Sequence, residues 1–325
     1  MREGDTAEIM DIWLEENCRA HDFLPEAYWR EHFAEVRDQY LPASRTFVEE
    51  LGGRIAGFAS LIPGERYYLG ALFVRNICQG MGVGTRLLGR CKEIWPELSL
   101  QVFEQNGHAL RFYEKQGFVP VDHKPAQGTG LSEYTMVYRR PLTTGRLLLR
   151  PWRMEDAQDM FEYARDKRVG PAAGWAVHKD LDETRGFLEC FIQEADTYAI
   201  ELQDKGKVIG SIGLHKRIPD LKLAALRQRE IGYVLNPSYW GRGYMPEAVK
   251  RLLEYGFEEL ELDLIWCGHY DFNHNSRRVI EKCGFRYQFS RPKKLPFYED
   301  EITELYYNIR NEDYRGGKNT DETCE

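Results

Sequence analysis

One stretch decides how this chain folds: Leu72-Phe73-Val74-Arg75-Asn76-Ile77-Cys78-Gln79-Gly80-Met81-Gly82-Val83-Gly84-Thr85-Arg86-Leu87-Leu88. It opens with three apolar residues of the kind that form a buried strand. Glycines follow at alternate positions, and the apolar residues after them recur at helical spacing. A strand that leads into a glycine-rich helix N-terminus can bind an anion, because free backbone N–H groups and the positive end of the helix dipole point at a phosphate. The stretch therefore predicts a phosphate-binding turn.

The composition is that of a globular protein with about two domains. The chain has 325 residues, 42% of them hydrophobic, and a formal net charge of -8. No apolar run approaches the roughly 20 residues of a membrane span, and the first residues do not form a signal peptide. Residues up to 140 hold 16 Lys+Arg against 20 Asp+Glu, and the rest hold 28 against 32. Neither part is basic, so nucleic acid and membrane are not expected partners.

The cysteines indicate a reducing compartment. There are seven, at positions 18, 78, 91, 190, 267, 283 and 324, and no two of them form a C-x-x-C pair. An odd number without paired spacing favours free thiols over a disulfide framework or a zinc site. We therefore expect a cytoplasmic protein without a bound metal.

The glycine stretch has a second copy later in the chain. At an offset of 161 residues the aligned pairs are Gln79/Trp240, Gly80/Gly241, Gly82/Gly243 and Gly84/Met245. A second block, residues 106–118, aligns with residues 273–285 at an offset of 167. Because two blocks match in the same order, the sequence predicts a domain duplication rather than a short repeat.

Both halves resemble the GNAT (Gcn5-related) acetyltransferase superfamily. Its acetyl-CoA signature, Gln/Arg-x-x-Gly-x-Gly/Ala after a strand, is intact in residues 79–84, and both halves carry Asn-x-x-(Ala/Ser) and a helix-ending Gly-Phe. The second half resembles the ribosomal-protein N-terminal acetyltransferase subgroup, through segments 146–152, 230–233, 240–243 and 273–276. The resemblance implies an α/β class (an α+β mixed sheet) with two tandem GNAT-fold domains, each a twisted, mostly antiparallel sheet flanked by helices.

Other glycine-rich sites fit the first stretch less well. A Rossmann dinucleotide site also places glycines after a strand, but that strand is the first of its domain, whereas this turn follows a hairpin. A P-loop requires a Gly-Lys-Ser/Thr, which does not follow here. A glycine-rich turn without a ligand is the remaining alternative.

Hydrophobic periodicity and turn residues predict the elements of each half. In the first they are helices 6–19 and 26–40, a hairpin 46–62, a strand ending at 74, a helix after 82, strand 98–103, helix 107–116, and strands near 118–122 and 132–139. In the second they are strand 146–152, helices 155–166 and 182–194, strands 197–203, 207–215 and 229–235, helix 243–260, strand 263–270, helix 275–283, and strands near 285–289 and 302–309. The predicted boundaries are domain 1–140, linker 141–145, domain 146–311 and a disordered tail 312–325.

The duplication also exposes a missing element. In the second half the strand at 146–152 precedes the first helix, whereas only Met1 precedes the matching segment Arg2–Asp5. The first domain therefore lacks its opening strand. We favour a wrong start or a truncation as the explanation, and the alternative is a sheet that ends one strand early.

The resemblance implies that acetyl-CoA is the cosubstrate and that a primary amine attacks it directly in a ternary complex. In the first domain the residues expected to hold acetyl-CoA are Leu72, Phe73, Val74, Gln79, Gly80, Met81, Gly82, Val83, Gly84 and Asn106. The resemblance implies that Tyr113 protonates the CoA thiolate, and a phenol suits this role because it stays protonated at neutral pH. The alternatives are that Tyr113 is a core aromatic and that Asn106 only caps its helix.

The acceptor of the acetyl group is a small molecule, a protein N-terminus or a lysine. His21, Phe23 and Tyr28 lie in or beside the segment between the first two helices, where the family builds its acceptor site. They either line that site or pack the loop onto the sheet. The sequence identifies no base for the amine, and water is an alternative. Whether the chain forms a homodimer stays open.

The second domain departs from the pattern. The residues expected to hold acetyl-CoA there are Val234, Leu235, Trp240, Gly241, Arg242, Gly243, Tyr244, Met245 and Asn273. Met245 replaces a small residue and is expected to crowd the phosphate turn. Ile280 replaces the tyrosine, so Ser276 becomes the candidate proton donor, and Glu230 is the candidate base or an ordinary strand residue. The alternative function is an acyl-CoA-binding sensor or assembly module with one or both domains inactive.

Overall fold

The computed structural model describes residues 1–2, 4–64, 67–295, 298 and 300–315. The chain divides into two compact units, Met1–Arg140 (unit 1) and Pro141–Glu325 (unit 2). Each unit is built around its own mixed sheet with helices, which confirms the predicted fold class.

Unit 1 contains a six-stranded sheet. Its elements are α1 (Thr6–Ala20), α2 (Glu26–Glu35), a π-helical turn (Val36–Tyr40), α3 (Leu41–Ala43), β1 (Arg45–Leu51), β2 (Arg54–Ile62), β3 (Tyr67–Val74), α4 (Val83–Ile94), β4 (Glu97–Phe103), α5 (Gly107–Lys115), β5 (Val119–Pro125) and β6 (Ser132–Arg139). The strand order is β1-β2-β3-β4-β6-β5. All neighbouring strands are antiparallel except β3 and β4, which are parallel.

Helices cover both faces of this sheet. The apolar residues of α4 (Val83, Leu87, Leu88 and Cys91) recur at helical spacing and pack with Leu98 and Leu100 of β4. On the opposite face α1 and α2 bring Trp13 and Trp29 against Phe58. The central strand β2 is therefore buried from residue 55 to residue 61, because neither of its faces meets solvent.

The two parallel strands of unit 1 separate soon after they meet. Their pairing is limited to Tyr67 with Leu98 and Tyr68 with Ser99. Beyond this point β3 stays paired with β2 as far as Val74, but it no longer pairs with β4. The backbone of the second half of β3 therefore faces a gap in the sheet.

In the described part of unit 1, no strand precedes α1, and β1 lies at the edge of the sheet. The first residue nevertheless runs beside it, since the Met1 ammonium donates to the Thr46 carbonyl at 3.3 Å. Unit 2 has the additional strand that the duplication predicts, placed beside the counterpart of β1.

Unit 2 contains an eight-stranded sheet. Its elements are β7 (Leu142–Thr143), β8 (Leu147–Pro151), a 3-10 turn (Met154–Asp156), α6 (Ala157–Ala164), α7 (Gly170–Ala173), α8 (Leu181–Glu194), β9 (Thr197–Leu202), β10 (Lys207–His215), β11 (Gln228–Leu235), α9 (Tyr244–Glu254), a π-helical turn (Tyr255–Glu259), β12 (Leu264–Tyr270), α10 (His274–Lys282), β13 (Arg286–Lys293) and β14 (Ile302–Arg310). The strand order is β13-β14-β12-β11-β10-β9-β8-β7.

Unit 2 differs from the sequence prediction at its two ends. The predicted linker contains β7, which pairs with β8 and so belongs to the sheet. Residues 311–315 of the described chain are helical, and Tyr314 packs on Phe257 with the ring centroids 5.0 Å apart. The ordered chain therefore continues into the segment predicted as a tail, and positions 316–325 of that tail lie outside the described residues.

The gap between parallel strands recurs in unit 2. Strands β11 and β12 pair from Gln228 with Leu264 to Ile231 with Cys267. Beyond Ile231, β11 pairs only with β10, as far as Leu235. Both units therefore open their sheets within the strand that precedes the glycine turn.

Candidate active sites

The glycine turn of unit 1 has the backbone that an anion site requires. Gly80 and Gly82 have φ angles of 76° and 77°, in the left-handed region that favours glycine. Gly82 is the N-cap of α4, and no side chain caps this helix end. The N–H groups of the first helical turn are thus available to a phosphate.

Unit 2 has the same turn, although it retains only two of the three glycines. Gly241 and Gly243 have φ angles of 75° and 79°, and Gly243 is the uncapped N-cap of α9. The turn therefore requires two glycines with left-handed backbone. One precedes the helix, and the other is its N-cap.

A side-chain donor ties each turn to the strand before it. The Gln79 amide nitrogen Nε2 donates to the Val74 carbonyl at 3.1 Å. The Trp240 indole nitrogen Nε1 donates to the Leu235 carbonyl at 2.8 Å. Leu235 aligns with Val74, so two different residue types make the same hydrogen bond. This explains why tryptophan can replace glutamine at this position.

A guanidinium fixes the second carbonyl of each turn. In unit 1 the Arg86 Nη1 donates to the Met81 carbonyl at 3.0 Å. In unit 2 the Arg146 Nη1 donates to the Arg242 carbonyl, also at 3.0 Å, and pairs with Glu247. Glu247 aligns with Arg86. In unit 1 the helix itself therefore provides the arginine that binds the turn, whereas in unit 2 the helix provides the glutamate that pairs with Arg146. The Arg146 guanidinium also lies 4.4 Å from the centre of the Tyr244 ring.

The expectation that Met245 crowds the phosphate turn is wrong. Its side chain is only 4% exposed and lies in the core of unit 2. The aligned Gly84 shows where a side chain at this position would point, because a Cβ there would lie 3.5 Å from Phe112 and 3.6 Å from Val74. In unit 2 the side chain at this position therefore points into the core rather than toward a ligand.

A cavity of about 930 Å³ connects the two faces of unit 1. On the α4/α5 face it is lined by Val83, Gly84 and Tyr113, and on the α1/α2 face by Trp13 and Trp29. The cavity therefore passes through the gap between β3 and β4. Of the residues predicted from sequence for this site, it brings together Leu72, Phe73, Val74, Gln79, Gly80, Gly82, Val83, Gly84, Asn106, Tyr113, His21 and Tyr28.

Two of the predicted residues lie outside the cavity lining. Phe23 packs on His21 and Phe103, with ring centroids 5.6 and 5.5 Å apart, so it supports the wall from behind. The Met81 side chain is 57% exposed, and this residue contributes its carbonyl to the turn.

The Tyr113 hydroxyl is free to act as a donor. Its ring packs between Phe112 and Phe118 at 5.3 and 5.4 Å, and within the described chain its hydroxyl has no hydrogen-bond partner. Burial raises the pKa of Tyr113 well above its usual value, with smaller contributions from Tyr68 and Cys91. The phenol therefore stays protonated throughout the neutral range.

The other face of the gap carries polar residues that the sequence analysis missed. The Tyr68 hydroxyl donates to the Gln101 Oε1 at 3.1 Å, and Glu133 lines the same cavity. Burial and the nearby Glu133 carboxylate raise the pKa of Tyr68 to about 12. Burial also raises the pKa of Glu133, partly offset by Lys124. Tyr68, Gln101 and Glu133 line the same cavity as Tyr113.

His21 is a neutral residue of the cavity wall. Its Nε2 accepts from the Asn106 amide at 3.3 Å, because the Asn106 Oδ1 already accepts from the Ala109 N–H at 3.0 Å. The imidazole proton therefore lies on Nδ1, which is buried without a partner among the described residues. Burial lowers the pKa of His21 to about 4. The Trp29 indole N–H is likewise buried without an acceptor in this part of the structure.

Asn106 and Asn273 have the same two roles in their units. Asn106 caps α5 and binds the loop between α1 and α2 through His21. Asn273 caps α10, accepting from the Ser276 N–H at 3.1 Å, and donates to the Ala172 carbonyl of α7 at 2.9 Å. Each amide thus joins the helix after the gap to the loop that covers it.

In unit 2 the candidate proton donor has a partner that the sequence analysis missed. The Tyr233 hydroxyl lies 2.9 Å from the Ser276 Oγ. Ile280, which aligns with Tyr113, is buried in the core. Tyr233 was identifiable only from strand geometry, because it lies in β11 and outside the helix motif that located Tyr113 and Ser276.

Glu230 is a buried carboxyl group in the middle of the sheet of unit 2. It is 9% exposed, pairs with His215 of β10 and Trp266 of β12, and its Oε2 lies 3.9 Å from the Arg217 Nη1. Burial raises the pKa of Glu230, with Arg217 opposing the shift. Val234 and Leu235 lie at the end of the same strand, where the backbone no longer pairs with β12.

Two family matches cover most of the chain. Residues 3–118 match the acetyltransferase (GNAT) family, and residues 146–286 match the acetyltransferase (GNAT) domain. The chain therefore belongs to the GNAT acetyltransferase family and carries its domain twice.

Individual relatives align with one part of the chain each. The peptidyl-lysine N-acetyltransferase YiaC of Escherichia coli is 35% identical over 125 residues, which are 38% of this chain and 84% of YiaC. The uncharacterized N-acetyltransferase YnaD of Bacillus subtilis is 31% identical over 173 residues, 53% of this chain and 98% of YnaD. A GNAT-family acetyltransferase crystal structure from Bacillus anthracis is 30% identical, with a TM-score of 0.48, and covers 53% of this chain and 99% of its own.

The described residues contain no helix long and apolar enough to cross a membrane. Among the same residues, no group of three or more His, Cys, Asp or Glu side chains is arranged to hold a metal ion, and six cysteines are free thiols.

Proposed function

We propose that the chain is an acetyl-CoA-dependent N-acetyltransferase that moves an acetyl group to a primary amine by direct attack in a ternary complex. The observation that carries this proposal is the cavity of unit 1, which runs from the phosphate turn through the sheet gap to an aromatic and acidic pocket on the other face. Such a passage lets the thioester and the amine approach from opposite faces.

The donor half of unit 1 suits a long, phosphorylated thiol. The turn from Gln79 to Gly84 offers uncapped N–H groups to the pyrophosphate. The backbone of Leu72, Phe73 and Val74 no longer pairs with β4. Its groups on that side, apart from the Val74 carbonyl that Gln79 already binds, can hydrogen-bond the amides of pantetheine as an added strand would. A cavity of about 930 Å³ lies within the range of small-molecule sites.

The reacting groups lie on the two sides of the gap. The ammonium form of the acceptor first releases one proton to solvent. The neutral nitrogen then forms the new C–N bond and gives up a second proton, which Glu133 receives beside Tyr68 and Gln101. The C–S bond breaks as the Tyr113 hydroxyl protonates the departing sulfur. One amide and one thiol are formed, and solvent restores the two residues.

The acceptor of unit 1 is most consistent with a cationic amine such as a lysine side chain. Glu133 supplies a carboxylate, and the rings of Tyr28 and Trp29 supply π-faces that attract an ammonium group. YiaC, which is similar to this chain, is named as a peptidyl-lysine N-acetyltransferase. Protein N-termini and small amines are the other acceptor classes to be tested.

Unit 2 is proposed as a second site of the same kind. Its turn, from Trp240 to Met245, holds the pyrophosphate, Ser276 protonates the sulfur and Glu230 accepts the amine proton. The raised pKa of Glu230 makes it a better proton acceptor than an exposed carboxylate. We place the protein in the cytoplasm, where its free thiols stay reduced.

Titration calorimetry with acetyl-CoA tests the proposal. The wild-type chain is expected to bind two molecules, and Gly80→Asp and Gly241→Asp are each expected to lose one. Both positions have left-handed backbone, and a Cβ there meets nothing within 4 Å. Aspartate tolerates this conformation better than most residues, and its charge repels the pyrophosphate.

Matched controls are Gly53→Asp and Gly206→Asp, which make the same change at left-handed turn glycines with open surroundings elsewhere in each unit. Both controls should keep two sites. Release of CoA is then followed with a panel of lysine peptides, N-terminal peptides and small amines. Binding without transfer to any amine would contradict the proposed activity.

A further inference from the structure

The two units carry a tyrosine at different members of one aligned pair of positions, the first on a strand and the second on a helix. Unit 1 has Leu72 on the strand and Tyr113 on the helix, whereas unit 2 has Tyr233 on the strand and Ile280 on the helix. Ile280 lies in the core that also contacts Tyr233, and Leu72 and Tyr113 pack against one core in unit 1. The phenol is thus retained between strand and helix but is supplied by the opposite element.

The Tyr233 hydroxyl reaches the first turn of α10. It lies 2.9 Å from the Ser276 Oγ and 3.2 Å from the Ser276 carbonyl oxygen. The carbonyl can only accept, so the phenol is the donor toward it. Burial raises the pKa of Tyr233 well above its usual value, with Cys267 as the next contributor, so the hydroxyl stays protonated at neutral pH.

Strand alternation places Tyr233 on the same face as the glycine turn's helix. Ile231 and Leu235 belong to the core under α9 and α10, and Tyr233 packs against this core. Glu230, one position before Ile231, therefore points to the opposite face. The side chains of Tyr233 and Glu230 therefore lie on opposite faces of the sheet, and the strand separates from β12 just after Ile231.

We propose that Tyr233 is the positioning residue of the second active site, where it orients the Ser276 hydroxyl toward the sulfur and replenishes its proton. Ser276 gives its proton to the departing sulfur and takes one from the Tyr233 hydroxyl, which turns from the carbonyl to Oγ. Solvent then restores the phenol. This inference rests on the proposed acetyl transfer by unit 2.

The test uses the full chain with Gly80→Asp, so that transfer to the best acceptor of the amine panel reports unit 2. Tyr233→Phe is expected to lower kcat about 10- to 100-fold, because it removes a donor that supports a proton transfer, while acetyl-CoA affinity changes less than about twofold. Ser276→Ala should lower kcat at least as much. The double variant should be no slower than Ser276→Ala, because residues that act as a unit are not additive.

A reciprocal swap provides the rescue. Tyr233→Leu alone should lose activity, and Tyr233→Leu combined with Ile280→Tyr should regain at least about a tenth of it, because the pair recreates the arrangement of unit 1. Tyr287→Phe removes a hydroxyl from an exposed ring on β13 and should leave kcat unchanged. Circular dichroism checks folding, and the phenylalanine variant decides the question if the swap does not fold.

Three results would overturn the inference. If Tyr233→Phe keeps the wild-type kcat, unit 2 is active but Tyr233 has no role in its reaction. Additive losses in the double variant mean that Tyr233 does not act through Ser276. No transfer at all in the Gly80→Asp chain, with acetyl-CoA still bound, overturns the proposed activity of unit 2 and the role of Tyr233 with it.

Discussion

Acidification should weaken unit 1 through a single imidazole. The pKa of His21 falls from 6.5 to about 4 because burial disfavours the charged ring. A lowered histidine pKa means that the unfolded chain binds the proton more tightly, so stability is full above pH 6.5 and is lost as the pH falls. When the pH lies below both values the loss is about 3 kcal/mol, and between pH 7 and pH 5 it is about 2 kcal/mol.

Protonation would also break a specific contact. The Nε2 of His21 accepts from the Asn106 amide, and a protonated ring presents an N–H to that donor. Asn106 must then turn away or lose its cap on α5, which makes the proposed acetyl-transfer site sensitive to the same titration.

The assay compares wild type with His21→Gln, whose amide oxygen can still accept from Asn106 but does not titrate. Hydrogen exchange measured by mass spectrometry on peptides from unit 1, in increasing urea, gives the free energy of unfolding at pH 7 and pH 5. Other groups titrate in both proteins, so the difference isolates His21. Equal pH dependence in wild type and variant would refute the reasoning.

Three further variants are expected to separate the roles of residues in unit 1 and its copy. Glu133→Gln should lower kcat about 100-fold and remove the rise in rate as the pH passes the raised pKa of this carboxyl, measured as a pH–rate profile in the Gly241→Asp chain. Gly84→Ala should keep acetyl-CoA binding and stabilise α4 by about 0.5–1 kcal/mol in urea unfolding, because Met245 already shows that this position points into the core. Gln79→Leu and Trp240→Phe should each weaken acetyl-CoA binding at their own site about fivefold in calorimetry, because each loses the hydrogen bond to the end of the preceding strand, worth about 1 kcal/mol.

The order of the elements could be predicted from the sequence because it depends on local pattern. The duplication fixed the positions of the strands and of the helices after the glycine turns, and Asn106 and Asn273 marked helix starts by their capping chemistry. The two-residue strand β7 could not be predicted from its Leu142–Thr143 pattern, because pairing with β8 and not local propensity makes it a strand.

The polar residues across the gap required strand register. Tyr68, Gln101 and Glu133 lie in three different strands, and only the pairing of Tyr68 with Ser99 and of Phe103 with Glu133 brings them to one face. The assignment of the His21 ring proton to Nδ1 required the structure, because it depends on the Asn106 amide that contacts Nε2. Such features depend on which side chains meet, and a motif search limited to one helix does not reveal them.

The two copies of the turn explain why departures from a signature do not by themselves indicate an inactive domain. Tryptophan in place of glutamine makes the same hydrogen bond to the end of the strand. An arginine from beside β8 in place of one from the helix donates to the same carbonyl of the turn. In each case a different side chain fixes the same backbone atom, and the φ angles of the two glycines agree within a few degrees. In the proposed site a phosphate would contact the N–H groups of the turn, so its binding would depend on the position of that backbone rather than on the residues that hold it.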